Sequence, residues 1–230
     1  MSKVILFDID GTLVLTGGAG GRAMARAFEA LFSIPNAFQT IPFAGRTDSS
    51  ILTDALSAHG VDSGADSFER FRQRYLEELG VELLSGSAHQ TVLPGVRSLL
   101  EVLERRDDAY VALLTGNYED GARMKLEHFD LWRYFACGAF GDNASERNGL
   151  FPTSMAAIRA CGGPAVSPDD VTVVGDTPLD VACAAAAGAR SLAVATGGFD
   201  AHTLRAAGAD IVMEDLGDTT AVLRAIGLEG

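Results

Sequence analysis

The fold is most clearly indicated by the stretch Lys3-Val-Ile-Leu-Phe-Asp-Ile-Asp-Gly-Thr-Leu13. In it, an unbroken apolar run ends abruptly in two aspartates. Residues 4–7 lack the alternation of a half-buried strand, and such a run is typical of a parallel strand covered on both faces. Asp8 and Asp10 follow, and residues two apart on an extended chain point the same way. The sequence therefore predicts a buried strand whose end presents two carboxylates to one space.

The same pattern recurs along the chain. Residues 111–114 and 171–174 are apolar runs that end in polar residues, and residues 191–194 and 211–213 are further candidate strands. Between the runs, apolar residues recur at spacings of three and four, as in residues 96–103, which predicts helices. Alternating strands and helices predict an α/β fold with a doubly wound parallel sheet.

The segment between the first and second of these strands breaks the alternation, because it contains three helical patterns and no convincing strand. We expect it to form a helical cap at residues 16–91, inserted into an α/β core made of residues 1–15 and 92–230. The Gly-rich stretch 15–21 and residues 86–94 would connect the two parts as loops, and glycine there would permit hinge motion.

Composition excludes several classes of protein. The 230 residues carry a formal net charge of −13, which opposes binding to nucleic acid or to an anionic membrane surface. The three cysteines are widely spaced and predict neither a disulfide framework nor a zinc site. The apolar runs are too short for a membrane span or a signal peptide. We expect a cytoplasmic protein, either a monomer or a homodimer.

Chemistry is expected where the parallel strands end, because ligands of open α/β sheets bind beyond those ends. Asp8, Asp10, Thr115, Asp176 and Asp180 all follow predicted strands. Clustered carboxylates repel one another, and a hard divalent cation with oxygen ligands, such as Mg²⁺, relieves that repulsion. A cation beside a free carboxylate nucleophile is suited to phosphoryl transfer.

Three motifs carry a resemblance to a known family. Asp8-Ile-Asp-Gly-Thr-Leu13, Leu113-Leu-Thr-Gly-Asn117 and Gly175-Asp-Thr-Pro-Leu-Asp180 resemble, in order and spacing, the first, second and fourth motifs of the haloacid dehalogenase superfamily. The helical insert resembles the type 1 cap of the phosphoglycolate phosphatase and β-phosphoglucomutase branch. The resemblance implies a Rossmann-like core and covers the whole chain.

The resemblance also implies roles for the four aspartates. Asp8 would attack phosphorus and form an aspartyl-phosphate, and Asp10 would protonate the leaving oxygen and then activate water. Asp8, the backbone carbonyl of Asp10 and Asp176 would hold Mg²⁺. Asp180 would support that metal site, either as a direct ligand or from behind it.

The remaining implied residues bind phosphate and substrate. Thr115, Gly116 and Asn117 would contact the phosphoryl oxygens. The superfamily places a lysine in a third motif, but the corresponding interval has no lysine, so we assign that cationic role to Arg147, with Lys125 as the alternative.

The cap contains one candidate for substrate specificity. The stretch Phe43-Ala-Gly-Arg-Thr-Asp48 is either a plain connector in which Thr47 or Asp48 caps the next helix, or a loop that faces the substrate. In the second case Arg46 would bind an anionic or hydroxyl-rich leaving group.

The expected function is a Mg²⁺-dependent phosphatase that hydrolyses a small phosphorylated metabolite. A phosphomutase of the β-phosphoglucomutase type is the first alternative, and a catalytically silent binding protein on the same fold is the second. A dehalogenase is disfavoured, because the dehalogenases of this superfamily lack a carboxylate at the position of Asp10.

Overall fold

The computed structural model describes residues 2–86, 89–142 and 144–228, and its strands match the predicted fold class. They are β1 (Lys3–Phe7), β2 (Val14–Thr16), β3 (Gln90–Val92), β4 (Ala109–Leu114), β5 (Gly138–Ala139), β6 (Val171–Gly175), β7 (Arg190–Val194) and β8 (Ile211–Met213). Six of them form one parallel sheet in the order β5-β4-β1-β6-β7-β8. The strand that opens the sequence therefore lies inside the sheet, flanked on both sides.

Helices connect these strands. They are α1 (Ala19–Phe32), α2 (Asp48–Ala58), α3 (Ala65–Leu84), α4 (Val96–Glu104), α5 (Glu119–His128), α6 (Leu150–Ala160), α7 (Pro178–Ala187), α8 (Ala201–Ala206) and α9 (Thr219–Ala225). Thr47 caps α2 by accepting a hydrogen bond from the Ser50 amide. Thr177 and Asp180 form a capping box at α7, with Pro178 in its first turn. This box fixes the fourth-motif aspartate at a helix start.

The core is built on both faces of the sheet, as the apolar runs predicted. Ile5 and Phe7 pack into one cluster with α4, α5 and α9, whereas Val4 and Leu6 pack into another with α6 and α7. Neighbouring side chains of β1 point to opposite faces, so a strand covered on both faces is apolar throughout. The predicted doubly wound α/β sheet is thereby confirmed.

The helical insert has an apolar cluster centred on its own helices, and Tyr118 and Met124 of the core also pack against it. Helices α1, α2 and α3 pack around a group of aromatic rings, with Phe28, Phe71 and Tyr75 at its centre. We propose that this cluster marks the cap as a unit separate from the core, with boundaries near residues 16 and 91. No helix in the described part of the chain is both long and apolar enough to cross a membrane.

The connections to the cap differ from the expected loops. Strands β2 and β3 pair antiparallel, with Val14 opposite Val92, so a short ribbon joins cap and core. Gly20 and Gly21 lie inside α1 rather than in a loop. The expectation of a continuous flexible entry at residues 15–21 is therefore wrong, and only Gly17 and Gly18 remain between β2 and α1.

Candidate active site

Three carboxylates meet at the carboxyl edge of the sheet. Asp8 follows β1, Asp176 follows β6, and Asp180 lies in the first turn of α7. One oxygen from each lies within 4.8 Å of the others. All three side chains are buried. Three of the four aspartates that were expected to gather at the strand ends are therefore together, and the fourth, Asp10, is not among them.

Because the three carboxylates are buried, ionising them costs free energy of desolvation. Desolvation raises the pKa of Asp176 to about 8, and the nearby charges of Asp180 and Asp8 add to the shift. Desolvation also raises the pKa of Asp8 to about 6, although Arg147 opposes the shift. Buried oxygen ligands of one sign are the donor set that a hard divalent cation prefers. The residues present thus fit Mg²⁺.

The backbone leaves room beside Asp176 only for glycine. A Cβ atom added at Gly197 would lie 1.7 Å from Oδ2 of Asp176, and one added at Gly11, where φ is +78°, would lie 2.4 Å from it. The Thr12 hydroxyl donates to Oδ1 of Asp176 over 3.4 Å. Two loops therefore close tightly around this carboxylate.

Arg147 contacts the nucleophile candidate. Its Nη2 lies 3.1 Å from Oδ1 of Asp8 and also pairs with Asp180, and its side chain is 3% exposed. Burial lowers the pKa of the Arg147 guanidinium, but the carboxylates of Asp180 and Asp8 outweigh that effect and raise it above its usual range. Thr177 donates to the other oxygen of Asp180. Both oxygens of Asp180 are therefore engaged by protein groups.

Asp10 is not part of this cluster. Its side chain is 43% exposed, and its Oδ2 accepts hydrogen bonds from Nζ of Lys125 at 2.6 Å and from Nδ2 of Asn117 at 2.9 Å. Lys125 also donates to Oδ1 of Asn117, and its side chain is 4% exposed. Lys125, the alternative to Arg147 as the cation of the third motif, thus contacts Asp10, whereas Arg147 contacts Asp8.

The second motif links these groups to the cap. The Thr115 hydroxyl accepts a hydrogen bond from Nδ2 of Asn117 over 2.8 Å. The Gly116 carbonyl accepts one from the Asp48 amide over 2.7 Å, and a Cβ atom at Gly116 would lie 2.0 Å from the Arg46 carbonyl oxygen. The cap loop therefore rests directly on the motif.

Arg46 and Asp48 of this loop differ in their surroundings. Arg46 is paired with Asp54 at 2.7 Å and donates to the Ser50 carbonyl, so its guanidinium is held by the cap itself. The Asp48 carboxylate is buried and accepts the Tyr118 amide over 2.9 Å. Burial raises the pKa of Asp48 to about 7, although Lys125 opposes the shift.

The sequence indicated Asp48 only as a possible helix cap, and Thr47 fills that role. It gave Lys125 no role with Asp10, because the two are 115 positions apart and no local pattern connects them. A lysine in a helix directly after the second motif was the available signal. Both residues line a cavity of about 590 Å³ between core and cap, together with Asp8, Asp10 and Arg46.

Comparison with known proteins agrees with the motifs. Residues 5–194 match the family model described as haloacid dehalogenase-like hydrolase. The chain is 30% identical over 222 residues to a phosphoglycolate phosphatase of Chromobacterium violaceum, covering 94% of each protein.

Two solved structures show the same fold. A hydrolase from Pseudomonas syringae matches with a TM-score of 0.72 and 23% identity, covering 98% of this chain and 99% of that one. CbbY from Rhodobacter sphaeroides in complex with phosphate matches with a TM-score of 0.72 and 20% identity, covering 95% and 96%. Since the family model spans most of the sequence and a curated relative aligns along nearly all of it, the chain belongs to the haloacid dehalogenase-like hydrolases and is an enzyme.

Proposed function

We propose that the protein is a Mg²⁺-dependent phosphatase that hydrolyses a phosphomonoester through an aspartyl-phosphate on Asp8. The observation that carries the proposal is the different surroundings of the two carboxylates of the first motif. Asp8 lies in the buried acidic cluster beside Arg147, whereas Asp10 faces the cavity and is held by Lys125 and Asn117. This difference supports the assignment of Asp8 as the nucleophile and of Asp10 as the residue that transfers protons.

In the first step, an oxygen of Asp8 forms a bond to phosphorus while the ester bond to the alcohol oxygen breaks. Asp10 delivers a proton to that departing oxygen, and the free alcohol leaves. In the second step, a water oxygen bonds to phosphorus and gives a proton to Asp10. The acyl-phosphate bond breaks, which restores the Asp8 carboxylate and releases inorganic phosphate.

Asp8, Asp176 and the backbone carbonyl of Asp10 would hold Mg²⁺. The ion would neutralise the clustered carboxylates and the phosphoryl oxygens. Asp180 would orient the site without binding the ion directly, because Arg147 and Thr177 already engage its two oxygens. Arg147 would keep Asp8 oriented, and Thr115, Gly116 and Asn117 would contact the phosphoryl group.

Lys125 and Asn117 would act as positioning residues for Asp10. Each donates a hydrogen bond to Oδ2 of Asp10, and they also bond to each other, so three side chains form a closed triangle. This arrangement would hold the Asp10 carboxylate beside the cavity and outside the cluster of Asp8, Asp176 and Asp180. It would keep the proton donor next to the leaving group.

The experiment is turnover of p-nitrophenyl phosphate with Mg²⁺, after treatment with EDTA, and after Mg²⁺ is restored. We expect activity that is lost with the chelator and recovered with the ion. Asp8→Asn should be inactive with either treatment, while the matched surface variant Asp62→Asn should behave as the wild type. Metal-independent turnover, or activity in Asp8→Asn, would contradict the proposal.

A further inference from the structure

The leaving-group side of the cavity is larger than a short acid requires. The whole cavity, including its phosphoryl end, has a volume of about 590 Å³, within the range of about 300–1,000 Å³ that is usual for pockets enclosing drug-sized ligands. The phosphoryl group would occupy only the end at Asp8. The remaining space extends under the cap, so its lining determines which alcohol is released.

The cap side of that lining is mainly apolar. Met24 of α1, Phe43 of the cap loop and Ile51 of α2 face the cavity, and Val14 and Leu15 line it from the ribbon. Met24 and Ile51 are each 2% exposed and belong to the apolar cluster of the cap. Apolar side chains of this kind bind apolar surface, and each buried methylene group adds affinity.

The charges of the lining disfavour an anionic leaving group. Among the described residues that line the cavity, Arg46 is paired with Asp54, Lys125 with Asp10 and Arg147 with Asp8. His89 is the further lining side chain that can carry a positive charge, and it is exposed. Asp10 and Asp48 face the same space. A carboxylate on the leaving group would meet no unpaired lysine or arginine among these described lining residues, so nothing there would compensate for its loss of hydration.

We infer that the alcohol released by this enzyme is uncharged, bulkier than glycolate and apolar on the side that faces Met24, Phe43 and Ile51. The inference rests on the proposed phosphatase activity and specifies its substrate class. Binding of such an alcohol would bury its apolar part against the cap. The polar end of the substrate would stay at Asp10 and the phosphoryl site.

Two matched substrate series test the inference through kcat/KM in the presence of Mg²⁺. The first is ethyl, butyl and hexyl phosphate, for which we expect a rise of about threefold per methylene group. The second is phosphoglycolate against its uncharged amide, for which we expect the amide to be preferred by at least about tenfold.

Two variants test whether the dependence of kcat/KM on alkyl chain length arises at the cap side of the cavity. Phe43 and Phe68 are both partly buried aromatic residues packed on the cap cluster, but of the two only Phe43 lines the cavity. Phe43→Ser should reduce the rise of kcat/KM with alkyl chain length. Phe68→Ser should leave that rise unchanged, even if the variant is less stable.

The outcomes separate the two proposals. A preference for phosphoglycolate over its amide, or an alkyl series that is flat in the wild type, would overturn the inference and leave the phosphatase activity standing. An equal loss of slope in both phenylalanine variants would also overturn it. Failure to hydrolyse any of the esters or p-nitrophenyl phosphate would contradict the proposed function itself, and the inference with it.

Discussion

Asp8 and Asp10 are separated by one residue, yet their surroundings are opposite. The Asp8 side chain is 7% exposed and lies with two other carboxylates and a buried guanidinium, whereas the Asp10 side chain is 43% exposed and is held by an ammonium and an amide. Each carboxylate has its own cation, Arg147 for Asp8 and Lys125 for Asp10. One strand end can therefore give two like groups different surroundings by giving them different partners.

The largest effect is expected at Asp8. Asp8→Asn should lower kcat by about 10⁴-fold or more, because a neutral amide cannot form the acyl-phosphate and loss of a nucleophile has effects of this size. Steady-state turnover of p-nitrophenyl phosphate checks this. Circular dichroism serves as the control, since the variant removes a charge from a crowded acidic cluster and should fold.

Arg147→Ala should reduce both stability and activity. It would leave Asp8 and Asp180 buried without their cation, and breaking a buried ion pair in this way costs about 3–5 kcal/mol. Urea unfolding of the protein without Mg²⁺ measures the loss of unfolding free energy. Lys125→Ala, which removes the cation of the more exposed Asp10, should cost less. The reverse order would contradict the division between the two pairs.

Lys125→Met should lower activity in a way that depends on the leaving group. We expect a loss of about 10- to 100-fold for alkyl phosphates, whose alkoxides need a proton from Asp10, within the range of general acid catalysis. The first turnover of p-nitrophenyl phosphate, measured as a burst, should change much less because its leaving group departs without a proton. Equal losses for both substrates would indicate that Lys125 is only structural.

A further effect, measured as stability rather than as turnover, depends on pH and arises at Asp48. Burial holds the pKa of folded Asp48 at about 7, above the value of 3.8 for an unperturbed aspartate, so the folded state binds this proton more tightly. Its ionisation therefore destabilises the fold as pH rises from about 4 to 7. Asp48→Asn avoids this cost and should be stabilised relative to the wild type at pH 8, but not at pH 4. Thermal melts across this range, with Asp62→Asn as the exposed control, measure the difference.

The sequence predicted the long strands and the acidic cluster well, for a physical reason. Continuous apolar runs such as residues 4–7 report burial on both faces directly, and the carboxyl ends of parallel strands must meet at one edge of the sheet. The two-residue strand β5 and the ribbon of β2 with β3 are too short to produce a period, so they were missed. Gly20 and Gly21 indicated a loop by propensity, but tertiary packing places them in a helix.

The partner of Asp10 could not be predicted in the same way. Helix α5 brings Lys125 to the first motif across 115 positions, and the Nζ atom would lie 3.3 Å from a Cβ atom at Gly20. A glycine in α1 therefore leaves space for the lysine end. Such a fit depends on how core and cap pack together, which local spacing does not encode.

The most direct test of the division between Asp8 and Asp10 is to locate the phosphoryl group on the enzyme. Asp10→Asn should still form the intermediate with p-nitrophenyl phosphate and Mg²⁺, but should hydrolyse it slowly because the base is missing. Acid quenching and peptide mass mapping should find one phosphoryl group, on Asp8. A phosphoryl group on another residue, or none while p-nitrophenol is released in a burst, would contradict the account.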